Sequence, residues 1–332
     1  MNKDTIVAIS TAIGQGAISI VRLSGDEAIE ITNRVFVGKN LNKAISHTVH
    51  YGHIRYNNQN IDEVLVTVFK GPKSFTTEDI VEINCHGGIF VANKILEILI
   101  KEGARPSNPG EFTERAFLSG RIDLTQAEAV MDIIEAKSDL SLTLANKGLD
   151  GVIYRLIQDL RSELLNTIAH IEVNIDYPEY DDVTQLSNEV VKPEVEKLIA
   201  KIKKLLEKAS FGKIIKDGLK TAIIGRPNVG KSSILNALLR EDRAIVTEIQ
   251  GTTRDTIEGN VNIGGIILNL IDTAGIRESK DVVEIIGINK AKKTIEEAEL
   301  ILFVLDNGQA LSDEDKILLD LNHRDKVLSS EI

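Results

Sequence analysis

Cysteine is nearly absent from this 332-residue chain: Cys85 stands alone. One thiol excludes an intrachain disulfide and any multi-cysteine zinc site, and it fits a reducing, cytoplasmic compartment. Long apolar runs are lacking too. Nothing approaches the roughly 18 apolar residues that a membrane-spanning helix needs. The start, Met1-Asn2-Lys3-Asp4-Thr5-Ile6, leads into a short apolar run interrupted by Ser and Thr, without a signal-like core. The sequence reads as that of a soluble protein with no membrane partner. Nor is there a surplus of positive charge: 39 Lys and Arg against 50 Asp and Glu give a net charge of -11. That argues against a non-specific grip on nucleic acid, which needs cations to displace phosphate counterions, but leaves room for a local basic patch. No internal repeat or low-complexity tract stands out.

What is present suffices for two or three domains, each with its own core. The pattern predicts an α/β multi-domain protein. Residues 1–117 read as α+β, with strand-like runs at Thr5–Thr11, Ile18–Leu23, Ile61–Phe69 and Asp79–Asn84. Ser24 is placed to cap a helix whose first turn holds Asp26 and Glu27. Phe90–Lys101 has helical spacing and stops at Gly103. Residues 118–214 switch to helical periodicity, with Ala127, Val130, Met131 and Ile134 on one stripe and another long helix at Glu189–Ala209, so a helical bundle is expected. Pro193 is tolerable in that last helix only near its first turn. From 215 to 332 strands alternate with helices: Leu219–Ile224, Ser232–Leu239, Ile266–Ile271, a helical Ile285–Ala298 and Glu299–Leu305. Such alternation makes a parallel sheet with crossover helices.

The chemistry-bearing motif opens this third region. Gly225-Arg226-Pro227-Asn228-Val229-Gly230-Lys231-Ser232 follows an apolar strand and enters a helix. Glycines there let backbone N–H groups close around phosphate oxygens, and the helix N-terminus adds a favourable dipole. Lys231 is suited to neutralise β/γ charge, and the Ser232 hydroxyl to bind Mg²⁺. Asp272-Thr273-Ala274-Gly275 closes a later strand, where a carboxylate can hold Mg²⁺ through water and a glycine N–H can meet a γ-phosphate. Between them, Gly251-Thr252-Thr253-Arg254-Asp255 forms a polar loop able to order around a γ-phosphate.

These residues, with Asp242–Val246, Glu284…Gly287-Ile288, Val21-Arg22-Leu23-Ser24-Gly25, Glu82…His86-Gly87-Gly88, Asn108-Pro109-Gly110-Glu111-Phe112-Thr113 and Gly120–Ala129, resemble the tRNA-modification GTPase family called MnmE or TrmE, in the family's order and over nearly the whole chain. The resemblance implies a folate-binding-like N-terminal domain that dimerises, a central α-helical domain and a P-loop GTPase α/β domain inserted into it. It implies a homodimer that works with a flavin-dependent partner on C5 of the wobble uridine of certain tRNAs. A tetrahydrofolate such as 5-formyltetrahydrofolate is the implied one-carbon source, and GTP hydrolysis is implied to depend on K⁺.

Carried over residue by residue, Asn228, Thr247, Ile249 and Thr252 match the K⁺ ligands, Ser232 and Thr253 the Mg²⁺ ligands, and Glu284 the acid that orients attacking water. The nucleotide set implied is Asn228, Val229, Gly230, Lys231, Ser232 and Ser233, then Thr247, Glu248, Ile249, Gln250, Gly251, Thr252 and Thr253, then Asp272, Thr273, Ala274 and Gly275. Arg22, Glu82 and Arg121 match folate contacts. A carboxylate can pair with the amino-pyrimidine edge of a pterin, and Arg with folate carboxylates.

The Asn-Lys-x-Asp motif by which the family reads guanine does not occur before Ile332, so the resemblance implies a G domain cut short. That leaves a second reading, a dimeric folate-binding scaffold with an inert G domain. Three features read as ordinary structure. Cys85 is strand core. His86-Gly87-Gly88 lacks the serine elbow of a hydrolase. Lys201, Lys203, Lys204, Lys208 and Lys213 form a solvated helix face.

Overall fold

The computed structural model describes residues 4–176, 188–226, 229–241, 259–271, 295–320 and 327–329. The chain divides into two compact units, Met1–Ala127 and Glu128–Ile332.

In the first unit, alternation of apolar and polar side chains builds one sheet. Its strands are β1 (Ile6–Ile9), β2 (Ile18–Ser24), β3 (Phe36–Gly38), β4 (Thr48–Tyr56), β5 (Gln59–Phe69), β6 (Ile80–His86) and β7 (Arg105–Pro106), in the order β3-β4-β5-β6-β2-β1-β7. All neighbours are antiparallel except β1 and β7. Val64, Val66 and Val68 of β5, Val81, Ile83 and Cys85 of β6, and Val21 and Leu23 of β2 point into one core. Helices α1 (Ala28–Val35) and α2 (Ile89–Lys101) complete that core with Ile31, Ile95 and Leu99. With a side-chain period of two, Arg22, Glu82, Asn84 and His86 then fall on the opposite face of the sheet. That register places Arg22 directly across from Glu82.

One expectation for this unit is corrected. Ser24 is no helix cap. It ends β2, and its Oγ lies 2.6 Å from Thr76 Oγ1 and donates to Glu78 Oε2 at 2.7 Å. The helix starts later, after Glu27, without a side-chain cap. The β4–β5 hairpin was not expected either; its turn is Asn57-Asn58, both at positive φ, the two-residue geometry that asparagine tolerates and that suits strand twist. Short α3 (Glu111–Leu118) follows a turn in which Gly110 takes φ +76°.

Helix α4 (Leu124–Glu135) spans the division between the units, and α5 (Asp139–Leu149), α6 (Val152–Asp176) and α7 (Asn188–Asp217) follow it. A reciprocal Ser138/Ser141 box caps α5. The last helix overruns its expected end: Gly212 is tolerated inside it, at about 1 kcal/mol relative to alanine. The terminator is Gly218, in the left-handed region at φ +76°, whose N–H donates to Ile214 C=O at 3.0 Å. Pro193 lies inside this helix. Many apolar side chains of these helices, Ile134, Ile157, Leu164 and Leu206 among them, remain exposed.

The second sheet comprises β8 (Leu219–Ile224), β9 (Gly259–Ile263), β10 (Ile266–Leu270), β11 (Leu300–Phe303) and β12 (Val327–Ser329), ordered β12-β11-β8-β10-β9. Four strands are parallel, as expected; β9 is not, since it hairpins back from β10 through Gly264-Gly265, both at positive φ. Helices α8 (Lys231–Glu241) and α9 (Asp313–Asp320) belong to this sheet's part of the chain. Of the expected helix Ile285–Ala298, residues 285–294 lie outside the described residues.

Candidate functional site

The glycine-rich loop leaves the C-terminal end of β8, whose Ala222, Ile223 and Ile224 are buried. Gly225 has φ +150°, and a Cβ there would sit 2.4 Å from the Val304 carbonyl oxygen, so no larger residue fits. Gly230 has φ +99° and leads straight into α8. A strand, a loop with two glycines at positive φ and a helix N-terminus follow one another here, an order that suits a polyphosphate.

Lys231 is the first residue of α8, and its Nζ donates to Gly225 C=O at 2.8 Å and to Arg226 C=O. Burial pushes its ammonium below the usual lysine range, because a half-buried cation is less well solvated than one in water. An anionic ligand would relieve that penalty. Ser232 and Ser233 continue the first turn of α8, and Val229 packs onto the apolar core beneath the loop. Expected residues Asn228, Thr247, Glu248, Ile249, Gln250, Gly251, Thr252, Thr253, Asp272, Thr273, Ala274, Gly275 and Glu284 lie outside the described residues.

In the first unit, the outward sheet face brings Arg22 and Glu82 together. Arg22 Nε and Nη2 bond to Glu82 at 2.8 and 2.7 Å, both on Oε1, so Oε2 is left out of the pair. The Arg22 guanidinium also lies 5.8 Å from the Phe112 ring centroid, within cation–π range. Arg121 is engaged elsewhere: it donates to Phe75 C=O at 2.7 Å and sits 5.2 Å over that ring. Two of the three expected folate contacts thus form one unit, and the third stands on its own aromatic shelf.

Sequence reasoning missed a five-residue charge cluster in the same unit. Buried Glu111 accepts from Arg105 at 2.6 and 3.1 Å, from Arg115 at 3.1 Å and from the Asn108 N–H at 2.7 Å. Arg115 also reaches Asp4 at 2.8 Å and Glu78 at 3.1 Å, and Arg105 reaches Asp4 at 2.6 Å. Arg105 and other donors hold the Glu111 carboxyl down at about 2. The signal was the Asn108-Pro109-Gly110-Glu111 turn, which aims Glu111 back at its own loop.

His86 was set aside, yet Asp62 grips it with both oxygens, accepting from its N–H at 2.8 Å and pairing its Nδ1 at 2.7 Å. That raises the imidazole above its usual range. Cys85 is core, as expected, and burial pushes its thiol up to about 11. The five lysines of α7 are exposed, and Lys201 Nζ pairs with Glu163 at 2.6 Å. A cleft of about 560 Å³ between α6 and α7, lined by Glu163, His170, Lys197 and Lys204, involves none of the expected site residues. No described helix is long and apolar enough to cross a membrane.

Residues 5–121 match the family model described as "GTP-binding protein TrmE N-terminus", and residues 124–330 the one described as "MnmE helical domain". The chain is 60% identical over 319 residues to a protein of Streptococcus thermophilus strain CNRZ 1066 named "tRNA modification GTPase MnmE". It is 58% identical over 321 residues to proteins of the same name from Streptococcus pyogenes serotypes M4 and M3. Each match covers 96% of this chain and 70% of the relative's length.

Proposed function

The chain belongs to the MnmE family of tRNA modification GTPases, and from that premise we propose that it hydrolyses GTP as part of tRNA modification. The observation that carries this reading is the loop after β8. Gly225 and Gly230 take positive φ, and the half-buried Lys231 donates from Nζ to the Gly225 and Arg226 carbonyls. This is a cradle for a triphosphate. Ser232, one residue into α8, and Thr253 would hold Mg²⁺ through their hydroxyls; Asn228, Thr247, Ile249 and Thr252 would hold K⁺. When bound, the two cations supply positive charge beside the β- and γ-phosphates, work otherwise done by an arginine finger. Glu284 is the residue we assign to orienting water, and Asp272–Gly275 to sensing the γ-phosphate.

We further propose the functional division 1–117, 118–214 and 215–332, action as a homodimer with a flavin-dependent partner, and modification at C5 of the wobble uridine, in the cytoplasm. Glu82 Oε2 is suited to accept from the amino-pyrimidine edge of a tetrahydrofolate, with Arg22 fixing the carboxylate plane. GTP turnover of the chain in KCl should exceed that in NaCl; equal rates in the two salts would remove the K⁺ assignment.

A second reading is favoured by the Arg22–Glu82 pair on adjacent strands over a closely packed core: a dimeric folate-binding scaffold whose G domain is inert. Calorimetry with 5-formyltetrahydrofolate and with MgGTP separates the two. Heat from folate alone favours the scaffold, and heat from both favours the enzyme.

A further inference from the structure

We infer that Asp315 is a positioning residue for the nucleotide loop, acting by holding Arg226; the inference rests on the reading of this loop as a nucleotide site. Asp315 lies in the first turn of α9, and its carboxylate is fully buried. Part of its role is local. Oδ2 accepts from the Ser312 N–H and Oγ, both at 3.0 Å, and the Asp315 N–H donates to Ser312 Oγ at 3.2 Å, closing a reciprocal cap on α9. A cap of this kind works equally well in water, so capping gives no reason for burial. The burial has another correlate: Arg226 Nε stands 2.9 Å from Oδ2, across 89 residues of sequence. A carboxylate taken wholly out of water is costly unless a cation accompanies it, and Arg226 is that cation.

Arg226 is the second residue of the glycine-rich loop. Its own carbonyl, with that of Gly225, accepts from Lys231 Nζ. One residue therefore carries two tethers: its side chain is drawn back to α9, and its main chain sets the oxygen against which Lys231 rests. The floor is fixed as well, since the Val304 N–H donates to Ile224 C=O at 2.8 Å and Val304 C=O blocks any side chain at Gly225. The Asp315–Arg226 pair thus defines where the Lys231 ammonium waits. It also holds the Arg226 guanidinium against α9. The fit is not saturated: Arg226 Nε and Asp315 Oδ1 are both buried without a hydrogen bond. The pair is therefore a close charge contact rather than a hydrogen bond.

The test uses the full chain, with fluorescent N-methylanthraniloyl-GDP and Mg²⁺ for affinity and GTP turnover for the KM-against-kcat split. Asp315→Asn and Arg226→Met should each weaken GDP binding about tenfold, the size of one lost close charge contact. KM for GTP should rise by a similar factor, with kcat falling less. The double variant should be no worse than the weaker single, because both remove one interaction. Arg226→Lys keeps the charge and should recover part of the affinity; it also guards against a variant that fails to fold. Unchanged affinity in folded Asp315→Asn, or tighter binding as Arg226 is freed toward the phosphates, would overturn the inference. Wild-type chain that binds no nucleotide would remove the nucleotide reading itself, and this inference with it.

Discussion

Replacing Glu111 by Gln should cost the first unit about 2 kcal/mol at neutral pH and almost nothing near pH 2. The carboxylate is nearly buried and takes bonds from Arg105, Arg115 and the Asn108 N–H. Its pKa falls from 4.5 to about 2. At about 1.4 kcal/mol per unit, that shift corresponds to roughly 3 kcal/mol of stability when the group is ionised. Two facts trim the figure. Arg105 is over a third exposed, so solvent screens part of its attraction. After the substitution Arg105 keeps Asp4, and Arg115 keeps Asp4 and Glu78, so neither cation is left unpaired. The penalty for stranding a buried charge, about 3–5 kcal/mol, therefore does not apply. The sign follows from a depressed carboxylate: its stabilisation is complete above the unfolded pKa of 4.5 and disappears as pH falls through about 2. Hydrogen–deuterium exchange at the Val66 and Ile83 amides in the centre of the sheet, wild type against variant at matched pH, reads the difference without intrinsic-rate corrections. A gap below about 0.5 kcal/mol at pH 7 would refute the network as a source of stability. So would one that persists undiminished below pH 3, since it would then owe nothing to ionisation.

Lys231→Met should reduce MgGTP affinity about 100-fold, as the loss of charge-assisted bonds to phosphate at roughly 1.5–3 kcal/mol implies; calorimetry checks it, and wild-type affinity would refute the cradle. Gly225→Ala should destabilise the second sheet by at least about 2 kcal/mol, since its Cβ meets a backbone oxygen that has no way to swing aside; urea denaturation monitored by circular dichroism measures this. Cys85, buried with its thiol at about 11, should resist Ellman's reagent at pH 8 in the native chain and react at once in urea; rapid native labelling would contradict its place in the core.

Much of this architecture was readable because its signals are local. Val64–Val68 and Val81–Cys85 are legible as strands with one buried face, whereas the β2–β6 register that sets Arg22 beside Glu82 appears only in the fold. The glycine-rich loop announced itself because phosphate binding needs backbone more than side chain, and backbone freedom is written as glycine. Where the reading failed, the deciding partner was remote. Ser24, followed by Asp26 and Glu27, has the local composition of a cap, but Thr76 and Glu78, more than 50 residues away, take its hydroxyl. Gly212 looks like a helix end and is not one, because one glycine costs a long helix little, whereas Gly218 adopts the left-handed turn that stops it. The β9–β10 hairpin hid because Asn260 and Asn262, though they alternate with Val261 and Ile263, are poor strand formers; Gly264-Gly265 marked its turn.

The same contrast separates the two halves of the nucleotide site. Lys231 and its glycines form a short-range motif, and sequence suffices to find them. Asp315 reads as one acid in the run Asp313-Glu314-Asp315, and nothing in that run distinguishes the fully buried carboxylate from its exposed neighbour Asp313. A helix with 3.6 residues per turn points them in different directions, so one meets water and the other meets Arg226. Specificity of placement, and with it the control of where Lys231 rests, therefore resides in a contact that only the folded chain reveals. Sequence variation at position 226 without a matching change at position 315 should accordingly be poorly tolerated: Arg226→Glu would set two carboxylates face to face in a buried pocket. Charge reversal at both positions restores the attraction but moves the anion into the phosphate loop. Folding should then recover in the double reversal while GTP binding does not, and recovery of both would show that the pair serves stability alone.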